Sequence, residues 1–345
     1  MCKMKRIKYL LLTCAAAVTF AACSGELNPG MDDNGKPDNG ETSGPDDGKP
    51  DGEKPDDGNP SPEECCIEYA TLAEEILVLE KDAFDSPVVS HTFEGGHGKI
   101  VFESPVSEIG KRAFRSKRLT AVTIPESVKT IGERAFDDNS IDEIIIPGNV
   151  SIVGPSSFCG QLSSLTIRSG VDSIADYAFT KNLLKEVFIP GSVRGIGEQA
   201  FDDSLLEKVT VGDGVKYIRY GAFQNCSIGE LVLPDSVEEI GKFAFADNGI
   251  ASVDIPAGLK VLENSVFKNN ALVSVTLPEG IERVCIFSFY GNRIAKLKCK
   301  SAVPPVLEER AFDPLPERVF VPAASLDTYK AAPVWKTFAD RMQAL

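Results

Sequence analysis

The stretch IGERAF, Ile131–Phe136, decides the fold because the chain keeps returning to it. Near-copies are IGKRAF at Ile109–Phe114, IGEQAF at Ile196–Phe201 and IGKFAF at Ile240–Phe245. Aligned on the phenylalanine, the repeat recurs every 21 to 23 residues, at Phe114, Phe136, Phe158, Phe179, Phe201, Phe223, Phe245, Phe267, Phe289 and Phe312. A fixed period of this length predicts a solenoid in which each repeat forms one coil.

Each repeat also carries a strand-like segment in which alternate residues are apolar and a proline follows. These segments are LTAVTIP (Leu119–Pro125), IDEIIIP (Ile141–Pro147), LKEVFIP (Leu184–Pro190), IGELVLP (Ile228–Pro234) and IASVDIP (Ile250–Pro256). A shorter Val-x-x-Ile piece, such as Val128 to Ile131, closes the opposite side. One coil cannot bury its own apolar face, so each phenylalanine is expected to stack on those above and below. Burying such a ring contributes about 1.5–3 kcal/mol, which makes the hexapeptide a packing device.

The position three residues after each phenylalanine is predicted to form a ladder that bonds the neighbouring backbone. It holds Lys117, Asn139, Gln161, Asn182, Ser204, Cys226, Asn248, Asn270 and Asn292. Cys226 is therefore interpreted as a ladder residue and not a nucleophile. Cys159 lies about three coils away, roughly 15 Å at the usual strand spacing, too far for a disulfide. Cys159, Cys226, Cys285 and Cys299 are all expected to be reduced, whereas Cys65 and Cys66 have no assigned role.

The first residues have the plan of a secretory signal, with a basic start, an apolar stretch and Ala21-Ala22 before Cys23. A cysteine after a small pair resembles a bacterial lipoprotein signal, which implies removal of residues 1–22 and lipidation of Cys23. Phe20 stands where such signals usually have leucine. Simple cleavage with soluble secretion is therefore the alternative.

Residues 23–64 are acidic and rich in Asp, Gly and Pro: from Ser24 to Glu64 there are 13 Asp/Glu and 3 Lys. So few apolar residues predict a disordered, extended tether. Calcium binding is the alternative, but no segment matches the spacing of a calcium loop. Subtracting this net −10 and the signal's +4 from the total of −15 leaves −9 for residues 65–345. That balance excludes the basic footprint of a nucleic-acid binder.

The IPxSVxxIGxxAF units, the lipoprotein start and the tether together resemble the BspA-like leucine-rich repeat family of bacterial surface proteins. The resemblance covers about residues 100–345. It implies a β-rich solenoid, a right-handed leucine-rich repeat superhelix of about ten 22-residue coils with caps at both ends. The expected divisions are an N-terminal cap at 65–104, repeats at 105–312 and a C-terminal cap with a terminal helix at 313–345.

The C-terminal cap is predicted from the pattern of its apolar residues. Ser325 is a plausible helix start. Trp335, Phe338, Met342 and Leu345 would lie on one helical face and cover the last coil, since an exposed solenoid end needs a lid.

No motif in these 345 residues indicates an enzyme, a metal site or a cofactor. The two histidines, His91 and His97, are expected in a solvent-exposed loop of the N-terminal cap. Paired carboxylates such as Asp137/Asp138 and Asp202/Asp203 recur at one place in the coil, as expected for a solvated turn. A regular solenoid is also expected to offer no cleft in which carboxylates could differ in environment.

The outward residues of the predicted strands form two columns that define the strand face. The first column holds Ala121, Glu143, Ser164, Glu186, Lys208, Glu230, Ser252, Ser274 and Lys296. The second holds Thr123, Ile145, Thr166, Phe188, Thr210, Val232, Asp254, Thr276 and Lys298. β-Propensity alone accounts for Thr, Ile, Phe and Val on an exposed sheet. The functional interpretation is that Ile145, Phe188 and Val232, with Thr166, Thr210, Glu186 and Glu230, form an apolar strip that binds a ligand.

The family resemblance implies adhesion: relatives are associated with host matrix proteins such as fibronectin or fibrinogen. We therefore expect a non-catalytic, adhesin-like module that holds a protein or glycan and is anchored to the outer membrane through Cys23. It is expected to be a monomer that meets membranes only through the lipid. The alternative is a structural scaffold of a surface complex without a soluble ligand. Family membership does not supply the ligand's identity.

Overall fold

The computed structural model describes residues 65–345. The expected signal at 1–22, the lipidation site Cys23 and the acidic segment 23–64 lie outside the described residues. Within 65–345 the chain forms a β-solenoid of about eleven turns of about 22 residues, which confirms the predicted solenoid with one turn more than expected.

After three N-terminal strands, short strands of two residues alternate with longer strands of three or four residues along most of the chain. All strands are numbered together in chain order. The N-terminal strands are β1 Cys66–Thr71, β2 Val88–Glu94 and β3 His97–Phe102. The short strands are β4 Glu108–Ile109, β6 Thr130–Ile131, β8 Ile152–Val153, β10 Ser173–Ile174, β12 Gly195–Ile196, β14 Tyr217–Ile218, β16 Glu239–Ile240, β17 Val261–Leu262, β19 Arg283–Val284 and β21 Val306–Leu307. The long strands are β5 Leu119–Val122, β7 Glu143–Ile146, β9 Ser164–Ile167, β11 Glu186–Ile189, β13 Lys208–Val211, β15 Glu230–Val232, β18 Ser274–Leu277, β20 Lys296–Cys299, β22 Arg318–Val321 and β23 Met342–Ala344.

The ten repeat phenylalanines form one continuous stack through the middle of the solenoid. Successive ring centroids are 4.9 to 5.7 Å apart, and the planes of neighbouring rings differ by 3° to 17°. Every one of these rings is at most 3% exposed. Stacked aromatic pairs contribute about 0.5–1.5 kcal/mol beyond their buried area. Each coil thus completes the core of the next.

The predicted asparagine ladder is confirmed beside this stack. In each case the side-chain amide donates to the carbonyl of the phenylalanine one coil earlier, as Asn139 Nδ2 does to Phe114 O at 2.8 Å. Its Oδ1 accepts from the earlier coil's backbone, as from Leu119 N at 2.9 Å. The same arrangement holds at Asn182, Asn248, Asn270 and Asn292. Each asparagine therefore satisfies buried backbone groups that no strand pairs.

The non-asparagine members of the predicted ladder behave differently from one another. Cys226 Sγ contacts Phe201 O at 3.3 Å, so its place in the ladder is confirmed. Ser204 Oγ makes a longer contact of 3.4 Å to Phe179 O. The prediction is wrong for Gln161, which is exposed, because the coil has one residue fewer between Phe158 and Leu162 than its neighbours. It is also wrong for Lys117, whose ammonium instead donates to Val78 O.

The turn before each phenylalanine is made by a residue with left-handed backbone dihedrals. In all ten coils the residue two before the phenylalanine has a positive φ, from 49° at Gln199 to 61° at Phe287. Only one of the ten, Gly221, is a glycine. Side chains as large as Phe287 rarely adopt this conformation and do so at a cost of about 1–3 kcal/mol. Packing of the coil therefore overrides local preference here.

The N-terminal end is closed by an antiparallel sheet with strand order β2-β3-β1-β5, which joins the cap to the first long strand. His91 lies on β2 opposite Ile100, and His97 begins β3. The expectation of an exposed loop is therefore wrong, because the glycine pair after β2 makes a tight hairpin. His91 is half-buried, and its Nε2 lies 2.7 Å from Tyr69 Oη.

The C-terminal end differs in form from the predicted single helix. A 3-10 helix (Ala323–Ser325), α1 (Leu326–Ala331) and a second 3-10 helix (Trp335–Arg341) precede β23, which pairs with β22. Ser325 precedes α1 as predicted.

The four apolar residues of this segment do not share one helical face. Trp335, Phe338 and Met342 are buried, but Leu345 is 54% exposed. The chain becomes extended at Met342 because the last coil offers β22 as an edge to pair with.

Strand pairing is interrupted on both sides of the solenoid at one coil, where the sequence predicts a strand at Ile250–Pro256. Ile250, Val253 and Ile255 point inward as predicted, yet these residues form no strand and join no sheet. The short-strand sheet also ends at β16 and restarts at β17. The phenylalanine side continues unbroken, since Phe245 N donates to Val266 O at 3.0 Å. This coil is thus held mainly on its phenylalanine side.

The stack predicts a large difference between inward and outward phenylalanines. Phe201→Ala should reduce the free energy of unfolding by about 3–5 kcal/mol, the usual cost of truncating a buried ring. Phe188→Ala should change it little, because that ring is 57% exposed. Denaturant titration measures both, and equal losses would contradict the assignment of inward and outward columns.

The ladder predicts a stabilising substitution. Among the described hydrogen bonds none involves Leu206 N, the amide that an asparagine at position 226 would bond. Cys226→Asn should therefore raise the free energy of unfolding by about 0.5–1.5 kcal/mol, one net hydrogen bond. Cys226→Ala is the matched control and should lower it. A destabilised Cys226→Asn variant would show that the thiol's packing matters more than the missing bond.

Candidate functional site

The strand face is built by the long strands, whose inward residues fix which side chains point out. Along β11 the exposures alternate strictly, with Glu186 and Phe188 outward and Val187 and Ile189 buried. Parallel pairing then aligns equivalent residues of successive coils side by side. The face is therefore a grid whose spacing the core dictates.

The predicted apolar residues do lie on this grid and are exposed. Ile145 is 50%, Phe188 57% and Val232 47% exposed. Thr210 stands between Phe188 and Val232 in direct register, and Thr166 stands beside Ile145. The apolar groups thus alternate with threonines and do not touch as one continuous patch.

The strip is also divided into two pieces. Ile145 and Thr166 belong to the two-stranded sheet of β7 and β9, whereas Phe188, Thr210 and Val232 belong to the three-stranded sheet β11-β13-β15. The division follows the coil that is one residue short. Among the outward residues of the second column, Phe188, Thr210 and Val232 are therefore the three that backbone pairing holds side by side in one sheet.

Charged residues flank the strip in the first column. Lys208 lies between Glu186 and Glu230 in register and makes a 2.8 Å ion pair with Glu230. The Glu230 carboxylate raises the pKa of Lys208 above its ordinary value. Acidic groups therefore border Phe188 and Val232, and the cation among them is neutralised.

This pairing belongs to a wider pattern in which opposite charges stand at the same place in neighbouring coils. Six ion pairs join residues 22 apart: Lys111–Glu133, Arg115–Asp137, Lys185–Glu207, Lys208–Glu230, Lys216–Glu238 and Lys260–Glu282. Exposed pairs of this kind contribute little to stability, because water and salt screen them. These pairs favour the alignment of neighbouring coils, whereas the free energy of folding comes mainly from the buried core.

A cleft that the sequence did not reveal lies on the short-strand side, so the expectation of no cleft is wrong. It is half open to solvent, has a volume of about 770 Å³, and is lined by five carboxylates, three cations, Tyr220 and three apolar side chains. It lies where β16 and β17 do not pair. The apolar pattern of the sequence continues unchanged across this point and gives no signal of it.

Four thiols of the repeats are protected from ionisation by burial. Burial raises the pKa of Cys159 and Cys285 to about 11 and that of Cys226 to about 12. Cys299 is buried, with Sγ 3.1 Å from Tyr329 Oη, and its pKa is also raised by burial. These four thiols are free and stay protonated at neutral pH, so they are poor nucleophiles.

Two further properties concern residues 65–345 alone. No three histidine, cysteine or acidic side chains in that range are placed to hold a metal ion together. None of its helices has the length and apolar character needed to cross a membrane.

The raised thiol pKa values predict resistance to alkylation. At pH 8.5 Cys226 and Cys299 of the folded protein should react with iodoacetamide far more slowly than in urea, because both burial and protonation protect them. Peptide mass mapping after a timed reaction gives the rate at each site. Comparable rates in the folded and unfolded protein would contradict their burial.

Raised pKa values also set a direction for stability against pH. A thiol whose pKa is higher when folded stabilises the fold below its unfolded pKa, near 9, and loses that contribution as pH rises toward 11–12. Cys226→Ser should show a shallower loss of stability over this window in denaturant titrations at several pH values. An equal slope would show that Cys226 does not titrate as described.

A match to a known family identifies the type of repeat. A profile described as a BspA type leucine rich repeat region, in six copies, matches residues 89–207 and 194–314. No curated protein matches the chain.

Solved structures with a similar chain are bacterial. A leucine rich cell surface protein from Faecalibacterium prausnitzii is 20% identical, with 66% of this chain and 90% of that chain covered and a TM-score of 0.33. The pneumococcal vaccine antigen PcpA is 19% identical, with 69% and 75% covered and a TM-score of 0.36. A leucine-rich repeat protein from Bacteroides ovatus is 20% identical, with 70% and 76% covered and a TM-score of 0.31.

Proposed function

Because the chain belongs to the family of BspA-type leucine-rich repeat proteins, we propose that it is a non-catalytic, adhesin-like binding module. Its strand face holds a host matrix protein or a glycan. The observation that carries the proposal is the exposed pair Phe188 and Val232 with the half-buried Thr210 between them, held in register and bordered by Glu186 and Glu230.

This arrangement has the anatomy of a protein-binding surface. Such surfaces place aromatic and aliphatic side chains at the centre and polar groups at the rim. An exposed phenylalanine adds a large contact area with few rotatable bonds to order. The same residue adds little to folding, because the face it occupies is open to solvent.

The scaffold supports this use because its stability is located elsewhere. The phenylalanine stack and the asparagine ladder hold neighbouring coils together without help from the outward columns. Outward residues can therefore be selected for a ligand at little cost to the fold, as in other solenoids.

The proposal includes a location. Cys23 is lipidated after removal of residues 1–22, and the chain is anchored in the outer membrane with the repeats on the outside of the cell. The supporting signals are the small pair before Cys23 and the acidic residues 23–64 that separate it from the repeats in sequence. Labelling of cells with radioactive palmitate, with Cys23→Ser as control, tests the anchor.

The binding face is tested by Ile145→Asp combined with Phe188→Asp. This variant should keep its denaturation midpoint, since both side chains are exposed, and lose at least tenfold in affinity for any ligand that the parent captures from an array of matrix proteins and glycans. Ile152→Asp with Leu205→Asp is the matched control, because these residues are similarly exposed but off the face.

The two possible failures have different meanings. Unchanged capture by the Ile145/Phe188 variant would place the ligand on another surface. A folded parent that captures nothing, and that light scattering shows to be multimeric, would instead support the structural scaffold.

A further inference from the structure

The strand face changes character at its C-terminal end, where cations replace the acids and apolar groups. Lys296 on β20 and Arg318 on β22 are paired in register in the first column. Lys298 lies in the second column, two residues along the same strand, and Lys300 follows that strand. We call these four residues the basic cluster. In these last coils neither column holds a carboxylate; the nearest one in the columns is Asp254.

Folding does not explain this cluster. Like charges directly opposite one another on adjacent strands are destabilising, and elsewhere on this face the cation Lys208 stands between two glutamates. No ion pair in residues 65–345 involves Lys296, Lys298, Lys300 or Arg318. The chain as a whole has a net charge of −15, so acidic residues are common in it, yet none stands beside these cations in the two outward columns. The positive charge at this end of the face is therefore not neutralised within residues 65–345 and is open to an outside anion.

One of these cations is held in place by an aromatic ring. The Lys296 ammonium lies 4.9 Å from the centroid of the Phe320 ring, a contact that attracts a cation toward the ring face. Phe320 takes the outward position in register with Lys298. The ring thus restrains one positive charge and limits the entropy lost when an anion binds.

The shape of the surface decides between classes of partner. Extended peptides commonly bind by pairing with a free strand edge, but β20 is paired with β18 and β22, and β22 with β20 and β23. A symmetric contact with a second copy of the chain is disfavoured by charge, because it would place two identical basic clusters against each other.

We propose that the basic cluster binds an anionic polysaccharide whose sulfate or carboxylate groups recur along the chain. Adjacent cations lie ~4.8 Å apart across strands and ~6.6 Å apart along them, so a flat polymer with repeated charges can engage several at once. The inference deepens the proposed function, because it assigns a glycan class to one end of the strand face. It uses residues different from those of the apolar strip.

The test compares Lys296→Ser combined with Lys298→Thr against the parent chain on immobilised heparin, polygalacturonate and neutral dextran. The two substitutions copy Ser274 and Thr276, which occupy the same positions one coil earlier, so the fold should be kept. Lys111→Ser with Lys216→Thr is the matched control, because it removes the same charge from ion-paired sites off the face.

We expect the parent to bind heparin or polygalacturonate and not dextran, and the Lys296/Lys298 variant to bind at least tenfold more weakly. The control variant should stay within about twofold of the parent. Raising the salt from about 50 to about 200 mM should weaken parental binding, as screening of exposed charges requires. Which of the two polyanions binds better tells whether sulfate or carboxylate is recognised.

Several results would overturn the proposal. They are no binding of either polyanion by the parent, equal losses in both variants, or competition by poly-glutamate as strong as by heparin, which would indicate an acidic protein instead. The Ile145/Phe188 variant separates the two claims. If it loses a captured matrix protein while the parent binds no polyanion, the proposed function stands and the polysaccharide assignment fails.

Discussion

Stacking of one phenylalanine per coil on those of the neighbouring coils is the interaction on which the whole molecule depends. A 22-residue coil has too little interior to bury its own apolar side chains, so its core is completed only by the coil above and the coil below. The small alanine before most of these rings lets the backbone approach, and the ladder asparagine bonds the carbonyls beside the ring. The repeated hexapeptide is conserved along the chain because every coil faces the same packing problem.

Because inward residues carry the stability, outward residues are free to vary along the solenoid. Inward residues set the register of the long strands, and the register sets where each outward side chain stands. The outward columns then vary along the molecule, from acidic and apolar around Glu186 and Phe188 to basic around Lys296 and Arg318. A ligand long enough to follow the face would meet both regions, which gives the solenoid a polarity that its regular core lacks.

The sequence predicts those parts of the structure that follow from periodic burial. The stack, the asparagine ladder and most long strands follow from the spacing of apolar residues, and so do the outward positions of Ile145, Phe188 and Val232. Residues 250–255 show the limit of this reasoning. Their pattern correctly predicts which side chains are buried, but burial does not require backbone pairing, and the strand is absent.

Other differences have local causes that periodicity does not contain. Gln161 leaves the ladder because its coil is one residue short. His91 joins a hairpin because strands of the cap pair with the first coil, outside the repeat. The cleft near Tyr220 arises where the short strands β16 and β17 do not pair. Pairing is a relation between two coils, and the sequence of neither coil shows that it is missing. For the strand face, the sequence locates the side chains and shows that threonines alternate with the apolar ones, but only the structure shows that Ile145 and Phe188 belong to separate sheets.

Hydrogen exchange across residues 245–263 tests whether the phenylalanine side holds the coils together. If it does, the amides of Phe245 and Asp247, bonded to the next coil at 3.0 and 2.8 Å, exchange as slowly as that of Phe201 in the middle of the solenoid. The amides of Ala251 to Asp254, which pair with no neighbouring strand, should exchange much faster. Exchange of Phe245 and Asp247 as fast as that of Ala251 to Asp254 would show that the stack does not hold the coils together where strand pairing stops.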